Sequence, residues 1–279
     1  MSFAFPIPRI ALLRLLLVAT AGLVLAGCAN QGGLGSSTSG PSAREPEIIT
    51  DSDESPARKR ARIRLELAMG YFEQNQNTVA LDEIKQALST DPNYSAAYNL
   101  RGLVYMRLDD PGLAEDSFRR SISLNPRDGN AMHNYGWLLC QQKRYADASQ
   151  QFARALDTPG YTDRPKTLMT QGVCQMQAGQ KAEAEKSLTQ AYEIDAGNPV
   201  IGYNLALLLS QRGEWTRAQF YIRRVNNSQA ANAESLWLGV KIERQLNNRD
   251  AVASLGGQLQ RRFPQSKEAV AYERGNFND

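Results

Sequence analysis

Small, alanine and bulky apolar residues recur along most of this chain with a period close to 34 residues. A small residue is followed twelve positions later by an alanine and, four further on, by a bulky apolar side chain. The small positions are Ala68, Gly102, Gly136, Gly172, Ala206 and Gly239, the alanines are Ala80, Ala114, Ala148, Ala184, Ala218 and Ala251, and the bulky residues are Ile84, Phe118, Phe152, Leu188, Ile222 and Leu255. Self-similarity of this kind is typical of stacked helix pairs that bury one another's faces. The pattern therefore predicts an all-α fold.

Prolines and capping residues indicate where these helices begin and end. Pro92 and Pro126 close the first two units, because proline has no N–H to donate and disfavours a helical residue before it. Ser55 followed by Pro56 predicts the start of the first helix. The third step between small residues is 36 positions long, so we expect a longer turn around residues 158–163 and a change in the direction of the stack.

This spacing resembles the tetratricopeptide repeat. The resemblance implies a right-handed α-solenoid of about six repeats, in a domain of residues 56–265, near residues 61–94, 95–128, 129–162, 165–198, 199–231 and 232–265. Residues 266–279 predict a C-terminal capping helix with a polar tail. Gly256 and Gly257 fall inside the last helix, which each glycine weakens by about 1 kcal/mol relative to alanine.

The first 27 residues have the layout of a secretory signal. An apolar run follows Arg9 and Arg14, and it is shorter than the roughly 20 residues of a membrane-spanning helix. The sequence from Leu25 to Cys28 resembles a bacterial lipoprotein processing site, which implies that residues 1–27 are removed and that Cys28 carries a diacylglycerol group and an N-acyl lipid. Ala29 stands where an aspartate retains lipoproteins at the inner membrane, so we expect the periplasmic face of the outer membrane. An uncleaved anchor with an incidental cysteine is the alternative.

Residues 28–55 are rich in Gly, Ser, Thr, Pro and acidic side chains, a composition that predicts a flexible tether. Without Arg9 and Arg14 the chain has 30 basic and 29 acidic side chains, and this balance argues against a nucleic-acid partner. The basic run Arg58–Arg64 predicts a solvated helix face, with attraction to anionic head groups as the alternative.

Cysteine and histidine usage limits the chemistry. Cys140 and Cys174 fall in helices on different faces, so we expect two buried thiols, although a disulfide must be considered in an oxidising compartment. The single histidine, His133, is expected to be a groove or interhelix hydrogen-bonding group. The sequence contains neither a phosphate-binding loop nor a nucleophile elbow. We therefore expect no metal, no small-molecule substrate and no enzymatic activity, and residues 109–112 are interpreted as a turn.

The tetratricopeptide resemblance also implies which residues face the concave side of the solenoid. They lie three before, one after and four after the small residue of each first helix, and they form an apolar, Met-rich and aromatic stripe. Such a surface favours a protein-binding groove, and ordinary packing between helices is the alternative. The predicted groove residues are Leu65, Met69, Phe72, Asn99, Leu103, Met106, His133, Trp137, Met169, Val173, Met176, Tyr203 and Leu207, with Cys140 and Ser210 in the same series.

The signal, the tether and six repeats together resemble the pilotin-type lipoproteins of type IV pilus biogenesis, the PilF/PilW family. Residues 130–145 are similar to the third-repeat signature of that family, and residues 235–239, 248–251 and 263–266 add to the similarity. The resemblance implies a non-enzymatic adaptor whose first three repeats bind the outer-membrane secretin and promote its localisation and multimerisation. The alternatives are an adaptor for periplasmic proteases or cell-wall synthases, and an enzyme or enzyme activator of peptidoglycan remodelling.

Overall fold

The computed structural model describes residues 54–277, in which every regular element is a helix. The predicted signal, Cys28 and all but the end of the predicted tether lie outside this range. The helices are α1 (Pro56–Glu73), α2 (Asn77–Thr90), α3 (Ser95–Arg107), α4 (Pro111–Leu124), α5 (Gly129–Gln141), α6 (Tyr145–Leu156), α7 (Arg164–Gln177), α8 (Lys181–Ile194), α9 (Pro199–Gln211), α10 (Trp215–Asn226), α11 (Ala233–Gln245), α12 (Arg249–Arg262) and α13 (Lys267–Glu273). Over residues 54–277, no helix is both long enough and apolar enough to span a bilayer.

The helices form six antiparallel pairs, followed by α13. We call the first helix of each pair helix A (α1, α3, α5, α7, α9 and α11) and the second helix B. Each helix A packs most extensively against its own helix B, and each helix B also contacts the next helix A. Between residues 54 and 277, successive helices A contact one another, whereas successive helices B do not. The predicted all-α repeat solenoid is therefore confirmed, with helices A along one side.

Close packing inside each pair explains the sequence pattern. A Cβ added to Gly102 would lie 2.5 Å from the ring of Phe118, and one added to Gly136 would lie 2.8 Å from the ring of Phe152. In the fourth pair, a Cβ on Gly172 would lie 2.6 Å from Leu188. In the sixth pair, a Cβ on Gly239 would lie 3.1 Å from Leu255 and 2.5 Å from Nδ2 of Asn226 in the preceding pair. Where the small residue is alanine, in the first and fifth pairs, the bulky partner is isoleucine. The size of the small residue on helix A is thus matched to the size of the bulky residue on helix B.

The expected helix starts and turns are present. The Ser55 hydroxyl accepts a hydrogen bond from the Arg58 N–H, and Pro56 occupies the first helical position. Asp109 has a positive φ of 58°, and the Asp110 side chain caps α4 by accepting from the Leu113 N–H. Residues 109–112 therefore form the turn between α3 and α4, as predicted.

The longer turn after the third repeat runs from residue 157 to residue 163 and is tightly packed. The Tyr161 ring covers Gly129, where an added Cβ would lie 2.5 Å from the ring. Its hydroxyl lies 2.7 Å from Oγ1 of Thr167, in the helix that follows. Tyr161, in this longer turn, therefore packs against both α5 and α7 and holds the turn in place.

The C-terminal helix α13 packs on α11 and α12, as expected for a cap. A Cβ on Gly256 would lie 1.9 Å from the Tyr272 ring, so this glycine permits the approach of α13. From the sequence, Gly256 was expected only to weaken α12, whereas in the structure it makes room for Tyr272. Phe277 stacks on Trp237 with ring centroids 5.5 Å apart, which extends the same contact.

Candidate protein-binding groove

The predicted groove residues lie along helices A, but they differ in exposure. Met69 is 47% exposed, whereas Leu65 and His133 are buried. The others are half-buried: Phe72, Asn99, Leu103, Met106, Trp137, Met169, Val173, Met176, Tyr203 and Leu207. The stripe is therefore partly surface and partly contact between helices.

Leu65 belongs to the core of the first two repeats. It is 7% exposed and lies in one cluster with Ala68, Ile84 and Leu100. Its side chain is therefore not available at the groove surface. One turn further along α1, Met69 lies outside the set of buried residues and is open.

His133 joins two successive helices A. Its Nδ1 lies 2.9 Å from Oγ1 of Thr167, so α5 and α7 are linked by a buried hydrogen bond. Burial, assisted by the positive charge of Lys166 and opposed by Asp163, lowers the pKa of the imidazole to about 4. His133 is thus the interhelix hydrogen-bonding group that was one of its two predicted roles, and it is neutral near pH 7.

Cys140 and Cys174 form a disulfide, and the expectation of two free thiols is wrong. Their Cα atoms are 5.8 Å apart, and the bond joins α5 to α7. Cys140 lies four positions after its small residue, whereas Cys174 lies two after its own. Neighbouring helices A meet through opposite faces, so residues on different faces are the ones that can touch. The different faces of Cys140 and Cys174, from which two free thiols were expected, are therefore what allows the two sulfur atoms to bond.

One series of side chains remains open along the whole stripe. These residues immediately follow the small residue, one on each of the first five helices A, and all are exposed or half-buried: Met69, Leu103, Trp137, Val173 and Leu207. Val240, the equivalent residue on α11, is buried. The series four positions after the small residue is more enclosed, since Cys140 is bonded and Arg107 lies over the Phe72 ring, 3.5 Å from its centroid. The open series is therefore the more accessible of these two rows of predicted groove residues.

The C-terminal end of this surface widens into a concavity of about 330 Å³. Tyr203 and Leu207 form one wall, and α11 and α13 supply Glu234, Trp237, Leu238, Lys241, Lys267, Glu268 and Ala271. Burial, together with the charges of Glu234 and Glu268, raises the pKa of the Tyr203 hydroxyl. The concavity is thus lined by apolar side chains together with lysines and glutamates.

Trp237 and Leu238 in this concavity were missed by the sequence analysis. In the sixth repeat, the register used for the groove selects Leu236, Val240 and Glu243, which are buried. The short α13 packs against α11 as a further helix A would, and it covers part of that helix. The sequence offers no periodic signal for Trp237 and Leu238, because their exposure depends on where α13 packs.

Residues 54–277 contain no group of three or more His, Cys, Asp or Glu side chains placed to hold a metal ion. The surface instead consists of apolar and polar side chains on a repetitive helical scaffold. Models of the tetratricopeptide repeat match residues 65–128, 100–165 and 175–237, in agreement with the helix pairs. The fold and the groove thus define a tetratricopeptide-repeat protein.

Similarity to individual proteins extends over most of the chain. The type IV pilus assembly protein PilF of Pseudomonas aeruginosa is 27% identical over 231 residues, which cover 81% of this chain and 92% of PilF. The solved structure of Pseudomonas aeruginosa PilF has a TM-score of 0.71 at 25% identity, covering 79% of this chain and 100% of that one. PilW, a widely conserved type IV pilus biogenesis factor, has a TM-score of 0.70 at 30% identity, covering 76% and 97%. The chain therefore belongs to the PilF/PilW family of tetratricopeptide-repeat proteins.

Proposed function

We propose that this protein is a pilotin of type IV pilus biogenesis, which binds the secretin and promotes its localisation and multimerisation in the outer membrane. The observation that carries the proposal is the extent of the family match, which covers 92% of PilF and 97% of the PilW structure. Such coverage leaves little of either relative without a counterpart here.

In this proposal, recognition takes place on the helix A side of the first three repeats. An apolar secretin segment lies along α1, α3 and α5 and contacts Met69, Leu103, Met106 and Trp137. Methionine side chains adapt to differently shaped partners because they are unbranched and polarisable. His133 lies beneath this surface and supports it through its bond to Thr167.

Location is supplied by the proposed lipid on Cys28. Stable anchoring requires more than one acyl chain, and the diacylglycerol and N-acyl groups together provide three. Residues 29–53 connect the anchor to the first helix. A receptor held on the membrane in this way raises the effective concentration at which secretin subunits meet.

The groove is tested by capture of secretin from outer-membrane extract with the mature protein. We expect the Leu103→Asp/Trp137→Asp variant to lose capture, because a carboxylate buried under an apolar segment is costly. Phe220→Asp is the matched control, since Phe220 is the most exposed large apolar residue in the described range and lies on α10. Thermal melting establishes that each variant is folded. Full capture by a folded groove variant would show that the groove is not the binding surface.

The anchor is tested separately in cells. Labelled palmitate should attach to the wild-type protein but not to Cys28→Ser, and the variant should leave secretin subunits unassembled and cells without twitching motility. Normal secretin multimers in cells that lack the protein altogether would refute the pilotin role.

A further inference from the structure

The outward face of α1 carries large apolar residues that nothing in the described chain covers. Ile63 is 48% exposed and Leu67 46% exposed, one helical turn apart. Lys59, Arg60 and Gly70 share this side of the helix by their spacing. We call these five residues the outer face of α1; it lies opposite the buried Ala61, Leu65 and Ala68.

Two positions of this face are buried in repeats two to five, whereas in repeat six they hold the exposed Glu234 and the half-buried Lys241. The residues in place of Ile63, five before the small residue, are fully enclosed in repeats two to five: Ala97, Ala131, Thr167 and Ile201. The same holds for the positions of Gly70, which are occupied by Val104, Leu138, Cys174 and Leu208. The outer face of α1 is therefore built like an interface between repeats.

In later repeats this face contacts the preceding helix pair. Tyr135, equivalent to Leu67, donates a hydrogen bond of 2.6 Å from its hydroxyl to Glu115 in α4. Cys174, equivalent to Gly70, is bonded to Cys140 in α5. Each helix A therefore rests against the helices before it, and α1 has no such helices in the described chain.

Charge on the outer face points to the chemistry of what covers it. Arg58, Arg62 and Arg64 form ion pairs with Asp91, Glu54 and Glu83. Lys59 and Arg60 are exposed, and neither has an ion pair with any of residues 54–277. A helix with carboxylates beside its apolar stripe would satisfy both cations while covering Ile63 and Leu67.

We propose that the outer face of α1 is a second docking surface, which takes a secretin helix with an apolar stripe and flanking carboxylates in the position of a preceding repeat. This inference rests on the proposed pilotin function. A segment already held in the groove at Met69 needs only a small additional contact to bind here, because the entropy cost of association is shared.

Other occupants fit less well. Residues 29–53, which are rich in Gly, Ser, Thr, Pro and acidic side chains, predict a flexible tether and not a helix. A second copy of the protein docked on this face would bury only two large apolar side chains, Ile63 and Leu67, whereas stable interfaces bury about 800 Å² per partner. An anionic bilayer would attract Lys59 and Arg60 but would not require the apolar pair in a repeat-like position.

The test compares matched variants of the lipidated full-length protein in binding to purified secretin. We expect Ile63→Glu/Leu67→Glu to lower affinity about tenfold, as for truncation of a well-placed interface residue. Lys59→Glu/Arg60→Glu should also weaken binding, and added salt should reduce its difference from wild type. Ile194→Glu/Phe220→Glu, which alters side chains of greater exposure on α8 and α10, should bind like wild type. The melting temperature should be unchanged in all variants.

A photocrosslinking residue at position 67 identifies the occupant directly. Crosslinks to an acidic, helical secretin segment are expected, and a second probe at position 103 reports on the groove. Crosslinks from position 67 to residues 29–53 of the same chain, to a second copy or to anionic lipid would overturn the inference. If position 103 crosslinks to secretin while position 67 does not, the outer face is not a docking site and the pilotin function stands. If neither position crosslinks and secretin does not bind, both proposals fail.

Discussion

Thr167 and His133 are joined by a buried hydrogen bond of 2.9 Å that ties α7 to α5. The same threonine hydroxyl lies 2.7 Å from the hydroxyl of Tyr161, in the long turn between the third and fourth repeats. Three elements therefore meet at one side chain. The disulfide between Cys140 and Cys174 joins the same two helices, so the middle of the solenoid is fastened at two points.

Burial of His133 predicts a loss of stability in mild acid. Its pKa is lowered from 6.5 to about 4 in the folded protein, so the unfolded chain binds more protons between these values. The free energy of unfolding should be unaffected by this group above about pH 6.5 and fall by about 3 kcal/mol as the pH approaches 4. Urea unfolding at a series of pH values measures the slope. His133→Asn, which cannot titrate, should show a shallower slope, and an equal slope would contradict the assignment.

Reduction of the disulfide should destabilise the protein. The bond closes a separation of 34 residues, for which constraint of the unfolded chain contributes about 3–4 kcal/mol. Dithiothreitol should therefore lower the melting temperature of the wild type and leave that of Cys140→Ala/Cys174→Ala unchanged. Two thiols that react with a maleimide in the oxidised, denatured protein would show that the bond is absent.

Two helical glycines should respond in opposite directions to substitution by alanine. Gly102→Ala places a Cβ 2.5 Å from the Phe118 ring and should cost about 1–3 kcal/mol of unfolding free energy. Gly70→Ala meets nothing within 4 Å and should stabilise α1 by about 0.5–1 kcal/mol. Urea denaturation of both variants measures the difference.

A compensating change tests the size matching in the helix pairs. Because Ala68 and Ala206 stand opposite isoleucines, Phe118→Ile should restore part of the stability lost in Gly102→Ala. In the wild-type background, Phe118→Ile should instead destabilise, since it leaves unfilled space beside the glycine. Additive losses in the double variant would argue against the matching.

The buried Glu243 should be sensitive to removal of its one charged partner, Arg223. Its carboxylate accepts hydrogen bonds from Arg223 Nε at 2.6 Å, Gln219 Nε2 at 2.8 Å and Asn248 Nδ2 at 3.0 Å. Although burial alone would raise the pKa of Glu243, these donors keep it below its usual value. Arg223→Ala should cost about 3 kcal/mol or more, because the glutamate is then buried with no cation.

Calorimetric melting of Arg223→Ala and Arg224→Ala provides the comparison. Arg224 is the exposed neighbour on α10 and serves as the control. The loss in Arg223→Ala should diminish at low pH, where Glu243 takes up a proton and no longer needs the cation. Equal stability of the two variants at neutral pH would show that the buried cluster contributes little.

The features that could be predicted from the sequence are the contacts, caps and turns within single helix pairs. The opposition of Gly102 to Phe118, the cap at Ser55 and the turn at Asp109 each depend on residues close in the chain and on hard sterics. The same pattern of small, alanine and bulky residues recurs about every 34 residues, so six individually weak matches support one another. The all-α solenoid was predictable for this reason.

Contacts between different pairs could not be obtained in the same way. The Cys140–Cys174 bond and the Glu243 cluster depend on the rotation and distance between neighbouring pairs, which the periodic pattern does not state. The groove shows the same limit, since Leu65 and Met69 are one turn apart and only the position of the neighbouring helices distinguishes buried from open. The stacking of Phe277 on Trp237 likewise requires the position of α13.

The matching of Gly102 and Gly136 with phenylalanine, of Gly172 with Leu188, and of alanine with isoleucine lies within single helix pairs, whereas Gly239 also makes room for Asn226 of the preceding pair. A gene segment that encodes one whole pair therefore carries both halves of the fit and can be duplicated or exchanged without creating an overlap. A crossover between the two helices of a pair would combine alanine with phenylalanine, or glycine with isoleucine, and leave a clash or a void. Related solenoids should accordingly lengthen and shorten by complete repeats, with recombination points in the turns that follow each helix B.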